Sequence, residues 1–131
     1  MFLTELSSEQ KRSFYKIASH AVLIDGNLHE KEAAMLRMVL LEMQITAPVN
    51  PEALNVAEEC KVFNTEVSRR ICFLELCCLV TADEEVHEHE EQFMKELAGY
   101  LLLGAEYSDR CMAFADTLVM LIKTGQRLIF T

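Results

Sequence analysis

The chain has 131 residues, 51% apolar and 25% charged, with two prolines, four glycines and no low-complexity run, which suits one domain with a buried core and excludes a disordered tail or linker. A net charge of −9, with no Lys/Arg cluster or basic amphipathic face, excludes a nucleic-acid or anionic-membrane surface and leaves cations and basic partners.

Taken in chain order, Ser7 and Ser8 can cap a first helix running to about residue 24, with Phe14, Ile17, Ala18, Ala21 and Val22 at helical spacing. Asp25-Gly26 ends it. A second helix is expected from near His29 to about Gln44. Ala47-Pro48 and Asn50-Pro51 then break the chain, and the latter reads as an N-cap and first-turn pair opening a short helix to about Cys60. Asn64 or Thr65 can cap the next helix, 66–82, whose apolar residues cover most of its circumference, as in the central helix of a bundle. A helix over 88–103 follows, stopping near Gly104. Ser108 is expected to cap the last, reaching about Lys123, with Gly125 as its terminating glycine. No alternating pattern long enough for a sheet occurs, so the expected fold is all-α: a single-domain helical bundle.

The longest apolar stretch, 71–82, contains Glu75 and falls short of the roughly 20 residues of a bilayer span. No secretory pattern opens the chain. Five cysteines, an odd number in apolar surroundings without a C-x-x-C pair, fit free buried thiols in a reducing cytosol. The expectation is a soluble cytoplasmic protein with no direct membrane insertion. Met35, Met38, Met94, Met112 and Met120 read as core, His20 as half-buried and His89 as surface.

An eight-residue block occurs twice, as Asp25-Gly-Asn-Leu-His-Glu-Lys-Glu32 and Asp83-Glu-Glu-Val-His-Glu-His-Glu90, 58 positions apart. The identities are Asp25/Asp83, His29/His87, Glu30/Glu88 and Glu32/Glu90, carboxylates and imidazoles rather than the apolar positions that burial alone would match. The surroundings align too, with Val22 over Val80, Met35 over Phe93 and Arg37 over Lys95. Two pseudo-symmetric helical hairpins are therefore expected.

Each block residue has an ordinary account of different strength. Glu32 and Glu90 suit the first turn of a helix, where the dipole favours a carboxylate and a capping box can form. His29 and His87 stand where Ser, Thr or Asp normally caps, and histidine caps poorly. Asp25 and Asp83 follow the ends of helices, where a carboxylate is disfavoured by about 0.3–1 kcal/mol without a compensating cation or donor. Asp-Gly is a common turn pair, but Glu84 stands where the first copy has Gly26. If the turns meet, Asp25, Glu32, Asp83 and Glu90 could surround one or two divalent cations. Carboxylates and water suit Mg²⁺, Ca²⁺ or Mn²⁺, and including His29 and His87 shifts preference toward Zn²⁺ or iron. The frame of an EF-hand, paired Glu-x-x-His motifs, His-Glu-x-x-His, a phosphate loop and a nucleophile signature are all missing.

The stretch Ala18-Ser-His-Ala-Val-Leu-Ile-Asp-Gly-Asn-Leu-His-Glu-Lys-Glu32, with Leu79-Val-Thr-Ala-Asp83 and Glu90 in the second half, resembles the TerB-like tellurite-resistance domain family over about residues 8–124. The resemblance implies a helical bundle of repeated hairpins, an acidic metal-binding site at Asp25, Glu32, Asp83 and Glu90, and a link to tellurite resistance and stress responses without established catalysis. Glu84 departs from the glycine often found there. The leading expectation is a non-catalytic module that binds a divalent metal cation (Mg, Ca, Mn or Zn) in sensing or scaffolding. A metal-free bundle whose acidic turns receive a basic protein partner is the second, and a carboxylate-metal hydrolase the third.

Overall fold

The computed structural model describes residues 1–24, 30–45, 54–82 and 88–130, apart from the side chains of Lys31 and Glu32. Among them are six α-helices: α1 (Ser8–Leu23), α2 (Glu30–Met43), α3 (Val56–Cys60), α4 (Glu66–Val80), α5 (Glu88–Tyr100) and α6 (Ala105–Phe130), preceded by a 3-10 turn, Leu3–Glu5. The all-α expectation holds, with no strand among the described residues.

Local chemistry sets the helix starts. The Ser7 hydroxyl accepts from the Gln10 N–H at 3.2 Å and the Gln10 side chain accepts from the Ser7 N–H at 2.9 Å, a reciprocal capping box. Thr65 and Ser68 repeat the device before α4. Asn55 caps α3, its Oδ1 accepting from the Glu58 N–H at 3.2 Å. That corrects the sequence reading: α3 starts at Val56, not beside Pro51, and Asn50-Pro51 lies outside the described residues.

α4 is central, packing against α1, α2, α5 and α6 and the 3-10 turn. Its Cys72, Phe73, Leu76, Cys77, Leu79 and Val80 are buried with Phe14, Ile17, Ala18, Ala21 and Val22 of α1. Short polar ties fix the smaller elements to this core. Ser13 donates to Glu59 at 2.6 Å and Lys16 pairs with Glu59 at 3.2 Å, joining α1 to α3. Arg70 of α4 lies over the Tyr107 ring of α6, 4.9 Å from its centroid.

At the N-terminus two carboxylates act together. Glu42 of α2 and Glu75 of α4 accept from the Met1 amine at 2.7 and 2.9 Å, while the Phe2 N–H donates to Glu75 at 2.6 Å and the Leu3 N–H to Glu42 at 2.8 Å. This holds Leu3 and Leu6 in the core. Glu75, an interruption in an apolar run when read as sequence, is thus a buried acceptor. Partial burial opposes the charged amine, but the hydrogen bonds and charges of Glu42 and Glu75 outweigh it and hold its pKa above the ordinary 8.0.

The helix ends depart furthest from expectation. α5 stops at Tyr100, and Leu102, not Gly104, takes the left-handed conformation, at φ 60°. Leu102 N–H bonds to Gly99 O at 3.1 Å and Leu103 N–H to Ala98 O at 2.9 Å, the pairing of a Schellman end. α6 begins at Ala105 rather than Ser108 and continues through Gly125 to Phe130. A glycine inside a helix costs about 1 kcal/mol, and Leu, Lys, Gln and Arg around it are good helix formers, so the helix passes over it. Met38 and Met120 are exposed, not core.

A shift of 58 residues superposes burial as well as sequence. Phe14, Ala18, Ala21 and Val22 fall on Cys72, Leu76, Leu79 and Val80, and Val39 and Met43 on Leu97 and Leu101, all buried. Gln44, at φ 57°, falls on Leu102.

Candidate metal site at the junction of two helices

The two copies of the acidic block fall between α1 and α2 and between α4 and α5, each running into the first residues of the second helix. Glu32 and Glu90 are each the third residue of their helix, where helix N–H groups and the dipole favour a carboxylate. Asp25, His29, Asp83 and His87 lie outside the described residues, as does the Glu32 side chain. Glu90 is therefore the one block residue expected as a ligand whose side chain can be placed.

Glu90 is not on the surface. It is 1 % exposed, whereas its neighbours Glu88, His89 and Glu91 are exposed. A capping carboxylate needs no such depth. Burying a charged carboxylate costs several kcal/mol unless charges or donors compensate it, and Glu90 does engage other groups.

The end of α1 also approaches the first turns of α5. His20, in the last turn of α1, stacks obliquely on Phe93 of α5, with ring centroids 5.1 Å apart and planes at 60°. Ile24, immediately before Asp25, and His89, immediately before Glu90, line one open groove of about 610 Å³ between α1, α3 and α5. Asn55, Glu96 and Tyr100 complete its polar wall. His20 is half-buried and His89 exposed, as expected, but their convergence on one groove was not foreseen from the sequence. The available signal was that these are the two histidines without a counterpart in the repeat.

The chemistry this junction offers is that of carboxylate and imidazole. The five thiols are free and buried. Desolvation pushes Cys60 up to about 12 and Cys78 to about 11, with Glu59 and Glu75 respectively adding to the effect, and Cys72 and Cys77 rise as well. Such thiols stay protonated and are poor nucleophiles and ligands. Among the described residues no group of three or more His, Cys, Asp or Glu side chains is arranged to hold a metal ion. No described helix is long and apolar enough to cross a membrane.

No protein-family model matches the chain, and no curated protein or solved structure shows significant similarity to it.

Proposed function

We propose that this chain is a non-catalytic, TerB-like module of two pseudo-symmetric helical hairpins, which binds a divalent cation through its two acidic turns and acts in the cytoplasm as a stress-linked sensor or scaffold. The observation that carries the reading is the burial of Glu90 beside the His20–Phe93 contact, which brings the end of α1 next to the start of α5. The 58-residue coincidence of buried positions and of the left-handed residues Gln44 and Leu102 supports the duplication. Asp25, Glu32, Asp83 and Glu90 would be the oxygen donors for Mg²⁺, Ca²⁺ or Mn²⁺, and His29 and His87 would favour Zn²⁺.

Elemental analysis, with melting curves in chelator and in each ion, tests this. Linkage gives about 2.7 kcal/mol of stabilisation at a free-ion concentration 100 times Kd, roughly a 10 °C rise in Tm for a domain this size. Asp25→Asn and Asp83→Asn should each remove that rise. Metal-free protein whose melting ignores all four ions would sink the proposal.

A second reading rests on the exposure of Glu88 and Glu91 at the start of α5, which presents negative charge without needing a metal. In that reading a basic protein partner binds there, and charge reversal at Glu88 and Glu91 abolishes binding while chelator leaves it intact.

A further inference from the structure

One stripe of α6 faces the bundle at Cys111 and Ala115, both buried. Followed toward the C-terminus at about 100° per residue, the same stripe carries Leu118 and Val119, half-buried, then Ile122 at 53 %, Ile129 at 74 % and Phe130 at 81 % exposure. The helix outruns its support. Its 26 residues span about 39 Å, against about 24 Å for the 16 residues of α1. Beside the overhang lies an apolar groove of about 250 Å³ whose walls include Ala34 and Met35 of α2, Cys78 of α4, and Leu118, Val119 and Ile122 of α6. One molecule thus presents both an unfilled apolar groove and an apolar helix end.

We propose that a second copy of this chain occupies the groove, with the two α6 helices packed antiparallel about a twofold axis near Thr124. Antiparallel pairing about that point sets Leu118 against Phe130, Val119 against Ile129 and Ile122 against Gln126. All of these lie on the stripe that points to the core at Ala115. The surface is self-complementary, as a closed twofold contact requires. Lys123 lies at the edge of this stripe, and Arg127 and Leu121 lie off it, so the two charged side chains stay at the rim of the contact.

Charge selects the occupant. A chain of net charge −9 repels its own copies over most of its surface, but residues 117–131 contain no Asp or Glu and carry Lys123 and Arg127, so this segment is positive and the rest of the chain holds all of its negative charge. Each copy's positive segment therefore meets a partner whose remaining residues are negative, whereas the acidic body of the chain opposes approach to an anionic bilayer. Covering the overhangs and both grooves buries on the order of 1,000 Å² in total, the lower end for a specific interface. A concentration-dependent dimer follows.

The experiment is light scattering coupled to size exclusion on the whole chain up to about 100 μM, a range that reads micromolar affinities. The expected mass rises toward twice 15.0 kDa. Ile129→Glu should weaken dimerisation at least tenfold, while Leu121→Glu, exposed but off the stripe, should leave it intact. Circular dichroism should show unchanged helix content in both variants. A wild-type mass that stays monomeric at 100 μM, an Ile129→Glu protein that still dimerises, or equal loss in both variants overturns the proposal. So does sedimentation of monomer with phosphatidylserine vesicles in place of dimerisation.

Discussion

Met35 and Phe93 hold the same place in the sequence repeat, 58 residues apart, but Phe93 is buried while Met35 is half-buried. The neighbours explain the difference. α5 packs against α1, α3, α4 and α6, whereas α2 packs mainly against α1, α4 and the short 3-10 turn. The same hydrophobic register therefore yields a covered helix in one half and, in the other, one wall of the groove beside the α6 overhang. A repeat in sequence does not impose a repeat in packing when the flanking elements differ.

The sharpest test of that contrast compares truncations at the two sites. Phe93→Ala should cost about 3–5 kcal/mol in urea unfolding, the range for a large side chain removed from a packed core. Met35→Ala should cost less, about 1–2 kcal/mol, because part of its surface is already hydrated. Equal costs would mean that α2 is as well covered as α5. A Met35 cost that grows with protein concentration would place the second copy's contact on the α2 side of the groove.

Glu42 and Glu75 make a second contrast, between a half-exposed and a buried carboxylate serving the same N-terminal segment. Glu75→Ala should destabilise by about 2 kcal/mol, since it removes a buried charged acceptor from the Phe2 N–H and the Met1 amine. Glu42→Ala should cost about half that, where water can replace the lost oxygen. The amine's pKa is raised on folding, so its contribution is fully present below about pH 8 and is lost as pH rises through the higher folded value. Melting temperature should therefore fall as pH rises above about 8 in the wild type and stay flatter in a Glu42→Ala/Glu75→Ala double variant. Identical pH profiles would show that the amine contributes nothing.

The periodicity that marks helices was legible because burial repeats every three to four residues along all the long elements, and α4 advertised its central position by being apolar nearly all round. Helix ends were harder. Gly125 has the residue type of a stop signal, but a glycine terminates a helix when following residues turn back onto the bundle, and here α6 simply continues. The N-terminal clamp was invisible for a related reason: Glu75 finds its partners 73 positions away in Phe2, and no local pattern encodes that distance. Of the expected ligand set, the role of Glu90 as a first-turn residue was readable, but its burial was not, because depth depends on how α1 and α5 meet. His20 and His89 have no counterpart in the repeat, and their convergence on one groove depends on the same packing of α1 against α5.

The smallest effect, and the most direct probe of the duplication, concerns the two residues with positive φ. Gln44 and Leu102 stand just beyond the ends of α2 and α5, at φ 57° and 60°, a region that disfavours residues bearing a Cβ and suits glycine. Leu102 is also exposed, so shortening it sacrifices little packing. Leu102→Gly relieves the conformational strain but also loosens the unfolded chain, and relief should win by about 0.5–1 kcal/mol. Gln44→Gly should stabilise by a similar amount if the two helix ends are equivalent. The two changes lie at the ends of different helices, α2 and α5, so they should add independently, which the double variant checks in the same urea titration. Stabilisation at Leu102 with destabilisation at Gln44 would show that the halves terminate by different means, leaving the 58-residue repeat as a feature of the acidic turns and core stripe alone.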